Sequence, residues 1–318
     1  MRVSLLLFYT VVALAWSVPA QAAPAKDSLR IIDVHRHAPR IGADDAEARR
    51  KALQSMDHNN IVSSLVYINE RSNMDDWVKS PSGRFIASAA MPCWRNRDGS
   101  YYCFPETGGW PDLRWLEREL AAGRISALGE MLFNYSGVRA DDPRMWPYWA
   151  LAAKYDVPVF VHTGRGPGPG EGLREEEGCC VGYDESLGNP ALLRPVLERY
   201  PRLRIALLHF GAGSREHPYF HTEALALLRD YSSVYVDLTI LSSMAPPKVY
   251  AAEIRRLIDA GFGDRIMFGT DNLPPEPIIE RLAAMSWMTR KQRRAILYDN
   301  AARFQRLTAK QKEHERRQ

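Results

Sequence analysis

Eight short apolar runs recur along the chain, and in the stretches between them the apolar residues return at helical spacing. The runs cover residues 29–34, 61–68, 85–91, 125–133, 157–161, 204–208, 234–236 and 266–268; the helical patterns include 46–59, 112–122, 145–155, 192–200, 222–231 and 249–260. A parallel strand buried on both faces reads as a continuous apolar run, and its return connection needs a crossover helix. The alternation therefore predicts a mainly parallel α/β sheet. Eight such strands close as a (β/α)8 TIM barrel, with an open doubly wound sheet as the alternative. The 318 residues suit one barrel with insertions, because this fold takes about 250 residues or more. Two long loops, 93–111 and 163–189, follow strands, which puts both on the face where barrels build their sites.

The ends of the chain read differently. Arg2 precedes an apolar run over 3–18, and Pro19 and the small-residue triplet Ala20-Gln21-Ala22 follow it. That is the pattern of a secretory signal peptide, cut after Ala22. The run falls short of the ~20 residues that span a bilayer, so no stable membrane insertion is expected after processing. The expected organisation is a signal over 1–22, a linker over 23–28, a barrel domain over 29–307 and a charged tail over 308–318, in a periplasmic or secreted protein. Export permits disulfides. Cys93 and Cys103 flank a polar loop that a bridge can close, whereas Cys179 and Cys180 are adjacent, and neighbours seldom pair. Three pairings stay open, and the absence of a CxxC spacing argues against a cysteine zinc site. A net charge of +4, from 42 basic against 38 acidic residues, is too small and scattered for a nucleic-acid footprint. A small molecule is the expected partner; oligomeric state is left undetermined.

The polar residues carry the functional signal. Asp33, His35 and His37 alternate at the end of the first run, His162 ends the fifth, His209 the sixth, Glu130 lies in the fourth, and Asp271 follows the eighth. Alternation along a strand turns side chains to one side, so these groups are expected to converge on one cavity at the C-terminal mouth of a barrel. Imidazole and carboxylate suit zinc and similar divalent ions, and a catalytic site supplies about three or four such ligands while leaving a position for water. Taken singly, each has a plainer reading: a His-x-His pair by accident, Glu130 in a salt bridge, Asp271 as a helix cap before Pro274. Their common register at strand ends favours a metal centre. His58, His217, His221 and His314 lie outside this register and read as solvated.

The ordered set Ile32-Asp33-Val34-His35-Arg36-His37, Val161-His162-Thr163-Gly164, Phe268-Gly269-Thr270-Asp271 and Asp299-Asn300-Ala301-Ala302-Arg303-Phe304 resembles the amidohydrolase superfamily, in its amidohydrolase-related branch of metal-dependent hydrolases and decarboxylases. The resemblance implies that His35, His37, His162 and Asp271 bind the metal, and that His209 lies beside it to position water or substrate. It implies one zinc, since most of that branch looks mononuclear. A bridging lysine of the binuclear members is not apparent, while Glu130 stands where another branch uses a bridging glutamate, which leaves two metals as the alternative. The activity implied is hydrolysis of a lactone, amide or ester through a metal-activated water, with Asp271 moving the proton and His209 stabilising the oxyanion. A decarboxylase can use the same centre; a non-catalytic metal-binding barrel and a phosphodiesterase resembling nucleases are further readings. Arg95, Arg165 and Arg215, in loops after the third, fifth and sixth strands, are candidates for an anionic group on the substrate.

Overall fold

All eight apolar runs are strands: β1 (Ile31–His37), β2 (Ile61–Ile68), β3 (Phe85–Ala89), β4 (Ile125–Met131), β5 (Val159–His162), β6 (Ile205–Leu208), β7 (Val234–Asp237) and β8 (Ile266–Met267). The computed structural model describes residues 29–39, 41, 43–80, 82–168, 178–212 and 220–307. The expected signal, linker and tail lie outside the described residues, as do Arg215, His217 and His314. Neighbouring strands in sequence are parallel neighbours in one sheet, in the order β1 to β8. The seam between the first and last strands is nearly closed. Val34 N–H donates to Phe268 O at 3.0 Å, and Asp271 N–H donates to His35 O at 2.7 Å. This excludes the open sheet and makes the fold a (β/α)8 barrel.

Helices cover the outside, among them Asp45–His58, Leu113–Ala121, Trp146–Lys154, His221–Asp230 and Pro247–Asp259. The first starts where Asp44 accepts from Glu47 N–H, a cap that satisfies one of the free donors of the opening turn. None of the described helices is long and apolar enough to cross a membrane. The 299–304 segment has a packing role. Asn300 Nδ2 donates to Ile266 O at 2.7 Å and Gly263 O at 3.0 Å, and Phe304 packs on Phe160 and Tyr235. Burying a phenylalanine contributes about 1.5–3 kcal/mol, so this segment holds β8 in the barrel rather than serving the chemistry.

The loop after β3 is a hairpin. Cys93 is bridged to Cys103, Arg95 pairs antiparallel with Tyr101, and the rings of Trp94 and Tyr102 stack at 4.0 Å. Cys179 and Cys180 lie side by side, both buried. The turn around Cys180, whose carbonyl accepts from Gly182 and Tyr183 N–H, packs both side chains inward. His221 departs from expectation. It opens its helix half-buried against the Phe210 ring, 3.8 Å from Glu253, whereas His58 is exposed as expected.

Candidate active site

At the carboxyl ends of the strands, the Glu130 carboxylate sits among four imidazoles. Its Oε1 accepts from His162 Nδ1 at 2.9 Å and lies 3.5 Å from His209 Nε2, while its Oε2 lies 3.2 Å from His37 Nε2 and 3.9 Å from His35 Nε2. Asp271 Oδ1 closes the group at 3.2 Å from His37 Nε2 and 3.5 Å from His35 Nε2. Six of the seven residues expected from the sequence to converge are thus together.

Local backbone conformations aim these groups. Gly129 has φ +126°, and a Cβ there would collide with Phe160 O, so only glycine lets β4 turn Glu130 inward at this point. Gly269 leaves room of another kind, because a Cβ would meet His35 Cβ at 2.8 Å and Asp237 Oδ2 at 2.9 Å. His209 (φ +61°) and Asp271 (φ +52°) both occupy the left-handed region. That conformation is uncommon for a histidine, and residues held in it cluster where a function demands it.

Asp33 does not join the cluster. Between Asp33 and Arg36, β1 carries one residue more than the facing stretch of β2, which interrupts the alternation expected along the strand. The buried Asp33 carboxylate instead ties the barrel seam. Its Oδ1 accepts from His35 N–H and Thr270 N–H, and its Oδ2 from Thr270 Oγ1–H at 2.7 Å and Arg36 at 3.3 Å.

Asp237 and Thr239, at the end of β7, belong to the site although the strand-end histidines do not point to them. Asp237 Oδ2 accepts from His35 Nδ1 at 2.9 Å, and its Oδ1 accepts from His209 N–H at 2.7 Å and Thr239 Oγ1–H at 2.8 Å. A signal exists in the sequence, since Asp237 directly follows the seventh apolar run. It is weak, because a lone carboxylate there has no histidine in its own segment. Tyr102, delivered by the bridged hairpin, sets its hydroxyl 3.5 Å from His37 Nδ1.

Charge balance in this buried volume shifts the titrations. Burial alone would lower His35, but the carboxylates of Asp271, Asp237 and Glu130 outweigh it and push it up to about 9. His37 is raised against the same burial by Tyr102, Asp271 and Glu130. Burial would raise Glu130 and Asp271, yet the surrounding imidazoles hold both below the usual carboxylate range. His162 is lowered, burial prevailing over its bond to Glu130. Among the described residues, three groups bring ligand atoms close enough for one ion: His35-His37-Glu130, Glu130-His162-His209 and His35-His209-Asp271.

The two described candidate substrate arginines differ in placement. Arg165 binds Glu185 at 3.1 Å, and its carbonyl is held by Asn134 Nδ2 and Tyr183. Its backbone runs beside the cluster, since a Cβ on the neighbouring Gly166 would meet His162 Nε2 at 3.0 Å. Arg95 is exposed on the hairpin, with its guanidinium folded over Gly99.

An eight-stranded parallel barrel with an imidazole–carboxylate cluster at its mouth defines a barrel protein able to hold a divalent ion. The chain belongs to the amidohydrolase family, whose model matches residues 17–307. Solved structures of similar fold include a probable 2-pyrone-4,6-dicarboxylic acid hydrolase from Acinetobacter baumannii with citric acid bound, at 14% identity and a TM-score of 0.63 over 88% of this chain and 100% of that one. A 5-carboxyvanillate decarboxylase from Sphingomonas paucimobilis is similar at 14% identity and a TM-score of 0.58 over 88% and 100%. A 2,6-dihydroxybenzoate decarboxylase from Rhizobium is similar at 16% identity and 0.53 over 88% and 98%. Among curated proteins none matches. The structural neighbours show the fold; they include both hydrolases and decarboxylases.

Proposed function

We propose that this amidohydrolase-family enzyme is a metal-dependent hydrolase of a lactone, amide or ester bond in a small, anionic substrate. His35, His37, His162, Asp271 and Glu130 would hold one divalent ion, zinc. One observation carries the metal reading. His35 gives its Nδ1–H to Asp237, so a neutral His35 turns a lone pair on Nε2 toward the carboxylates of Asp271 and Glu130. That buried Nε2 has no hydrogen-bond partner, and neither has His162 Nε2. A lone pair facing two carboxylates is unfavourable unless a cation stands between them, and leaving buried charge unpaired costs several kcal/mol. A proton can serve; a divalent ion also satisfies the oxygens.

When bound, the ion would supply Lewis acidity, acidifying water and polarising a carbonyl or holding a carboxylate. The chain's own groups divide the remaining work by access. The Glu130 side chain is 3% exposed and ringed by imidazoles, so it fixes charge and ligand orientation. The Asp271 side chain is 21% exposed, which allows it to take a proton from water and deliver it to a leaving group. His209 turns Nε2 toward the same space. Arg95 and Arg165 are proposed to read the anionic group, with Glu185 released from Arg165 as substrate enters.

A decarboxylase is the second reading, supported by the decarboxylases among the fold neighbours, and two ions are the second reading of the metal, supported by the triads that meet at Glu130. Metal analysis of the purified chain, with a screen of lactones, esters, amides and aromatic carboxylates, separates these. One equivalent of zinc with hydrolytic turnover is expected. Carbon dioxide release would assign the second reaction, and full activity in a chelated, metal-free chain would remove the metal from the mechanism.

Export is proposed on the N-terminal pattern. Expressed in an exporting host, the protein is expected to begin at Ala23, as read by N-terminal sequencing. Recovery of a membrane-held chain still beginning at Met1 would overturn it.

A further inference from the structure

Each imidazole of the cluster has a partner at its Nδ1, and for three of them that partner lies in a barrel strand or just past its end. His35 Nδ1 meets Asp237 and His162 Nδ1 meets Glu130, both at 2.9 Å, and His209 Nδ1 meets Thr239 Oγ1 at 2.9 Å. His37 is different. Its Nδ1 meets the hydroxyl of Tyr102 at 3.5 Å, and Tyr102 comes from the hairpin after β3. A histidine that gives its Nε2 lone pair to an ion keeps hydrogen on Nδ1, and an acceptor for that hydrogen fixes the orientation of the ring. His37 Nε2 faces Glu130 and Asp271, at 3.2 Å from each, so the acceptor role falls to Tyr102.

Two paired strands alone are marginally stable, and a slip of one residue in their pairing carries side chains to the opposite face. In this hairpin Arg95 pairs with Tyr101, Tyr102 N–H donates to Trp94 O at 3.2 Å, and Asn96 N–H donates to Ser100 O at 2.8 Å. That register sets the Trp94 and Tyr102 rings on one face, stacked at 4.0 Å, and makes Cys93 and Cys103 the next pair toward the barrel. The bonds from Cys93 N–H to Gly109 O and from Phe104 N–H to Asn69 O hold the base of the hairpin. Neither crosses it, so neither decides which residue of one strand faces which of the other. The bridge between the two buried cysteines does. We infer that Cys93 and Cys103 are positioning residues whose bridge pins this register, keeps the Tyr102 hydroxyl on His37 and so strengthens the hold of the site on zinc. The inference rests on reading the cluster as a metal centre and deepens it by assigning part of its affinity to two cysteines outside it.

Zinc affinity of the full chain is measured by competition with a chromophoric chelator, with circular dichroism to confirm folding. Tyr102→Phe keeps the ring and removes the acceptor. It is expected to weaken zinc binding by ~10-fold, the low end of what losing an outer partner of a metal ligand costs. Cys93→Ala combined with Cys103→Ala is expected to weaken it to a similar extent, although the Tyr102 hydroxyl is still present. Because both changes break one line of contacts, all three substitutions together should cost no more than Tyr102→Phe alone, whereas independent effects would add. Wild-type affinity in Tyr102→Phe or in the folded alanine pair overturns the inference, and so do additive losses. Should the alanine pair not fold, Tyr102→Phe still tests the contact, and peptide mapping of the wild-type chain by mass spectrometry tests the bridge: free thiols at Cys93 and Cys103 overturn it. A wild-type chain that holds no zinc removes the metal reading and this inference with it; a wild-type chain that holds zinc no more tightly than the variants removes this inference alone.

Discussion

Alanine in place of His35 or His37 is expected to abolish metal retention, with zinc content and turnover falling together. Each ring turns Nε2 into the space between Glu130 and Asp271, so removing either would take away one of the proposed ligands and open the chelate. The loss should exceed the ~10–100-fold that removing an outer hydrogen-bond partner of a metal ligand costs. For His35 it is compounded, since Asp237 then loses the ring it holds at 2.9 Å inside the protein. The comparison is His58→Ala, an exposed histidine outside the cluster, which should keep a full equivalent. Metal per chain is measured after dialysis against buffered zinc, with circular dichroism to confirm folding. A folded His35→Ala or His37→Ala chain with a full equivalent of zinc would show that the ion sits elsewhere.

Periodicity makes part of this site legible in the sequence, and irregularity conceals the rest. The barrel is legible because buried parallel strands must be apolar on both faces. The strand-end groups are legible because burying polar side chains there is costly unless they are paired or bind something. Asp33 misleads by the same rule. It shares the parity of His35 and His37, yet the extra residue in β1 interrupts the alternation and its carboxylate serves Thr270 and Arg36 at the seam. Asp237 and Thr239 escape notice because their work lies in bonds to rings more than twenty residues away, and such partners leave no local spacing to read.

Asp271→Asn is expected to lower kcat by ~10²-fold or more while part of the metal remains, because an amide oxygen can still approach the ion but cannot carry a proton. The backbone makes this substitution unusually clean. Asp271 has φ +52°, and asparagine is among the few residues that enter the left-handed region readily, so the variant should keep the bond from its own N–H to His35 O. Alanine there would add backbone strain to the loss of the carboxylate and confuse the two. The contrast is His162→Ala, which should lose metal along with rate, since its ring lies within the ligand cluster and takes no proton step. Both variants are measured for kcat and metal content across the neutral range at saturating zinc, so that weaker binding is not read as lost chemistry. Glu130 is a poor substitute for the missing carboxylate: its side chain is 3% exposed against 21% for Asp271, so it meets water and a leaving group less readily. Near-wild-type turnover in the zinc-replete Asp271→Asn enzyme would therefore leave His209 as the base and would reduce Asp271 to a ligand.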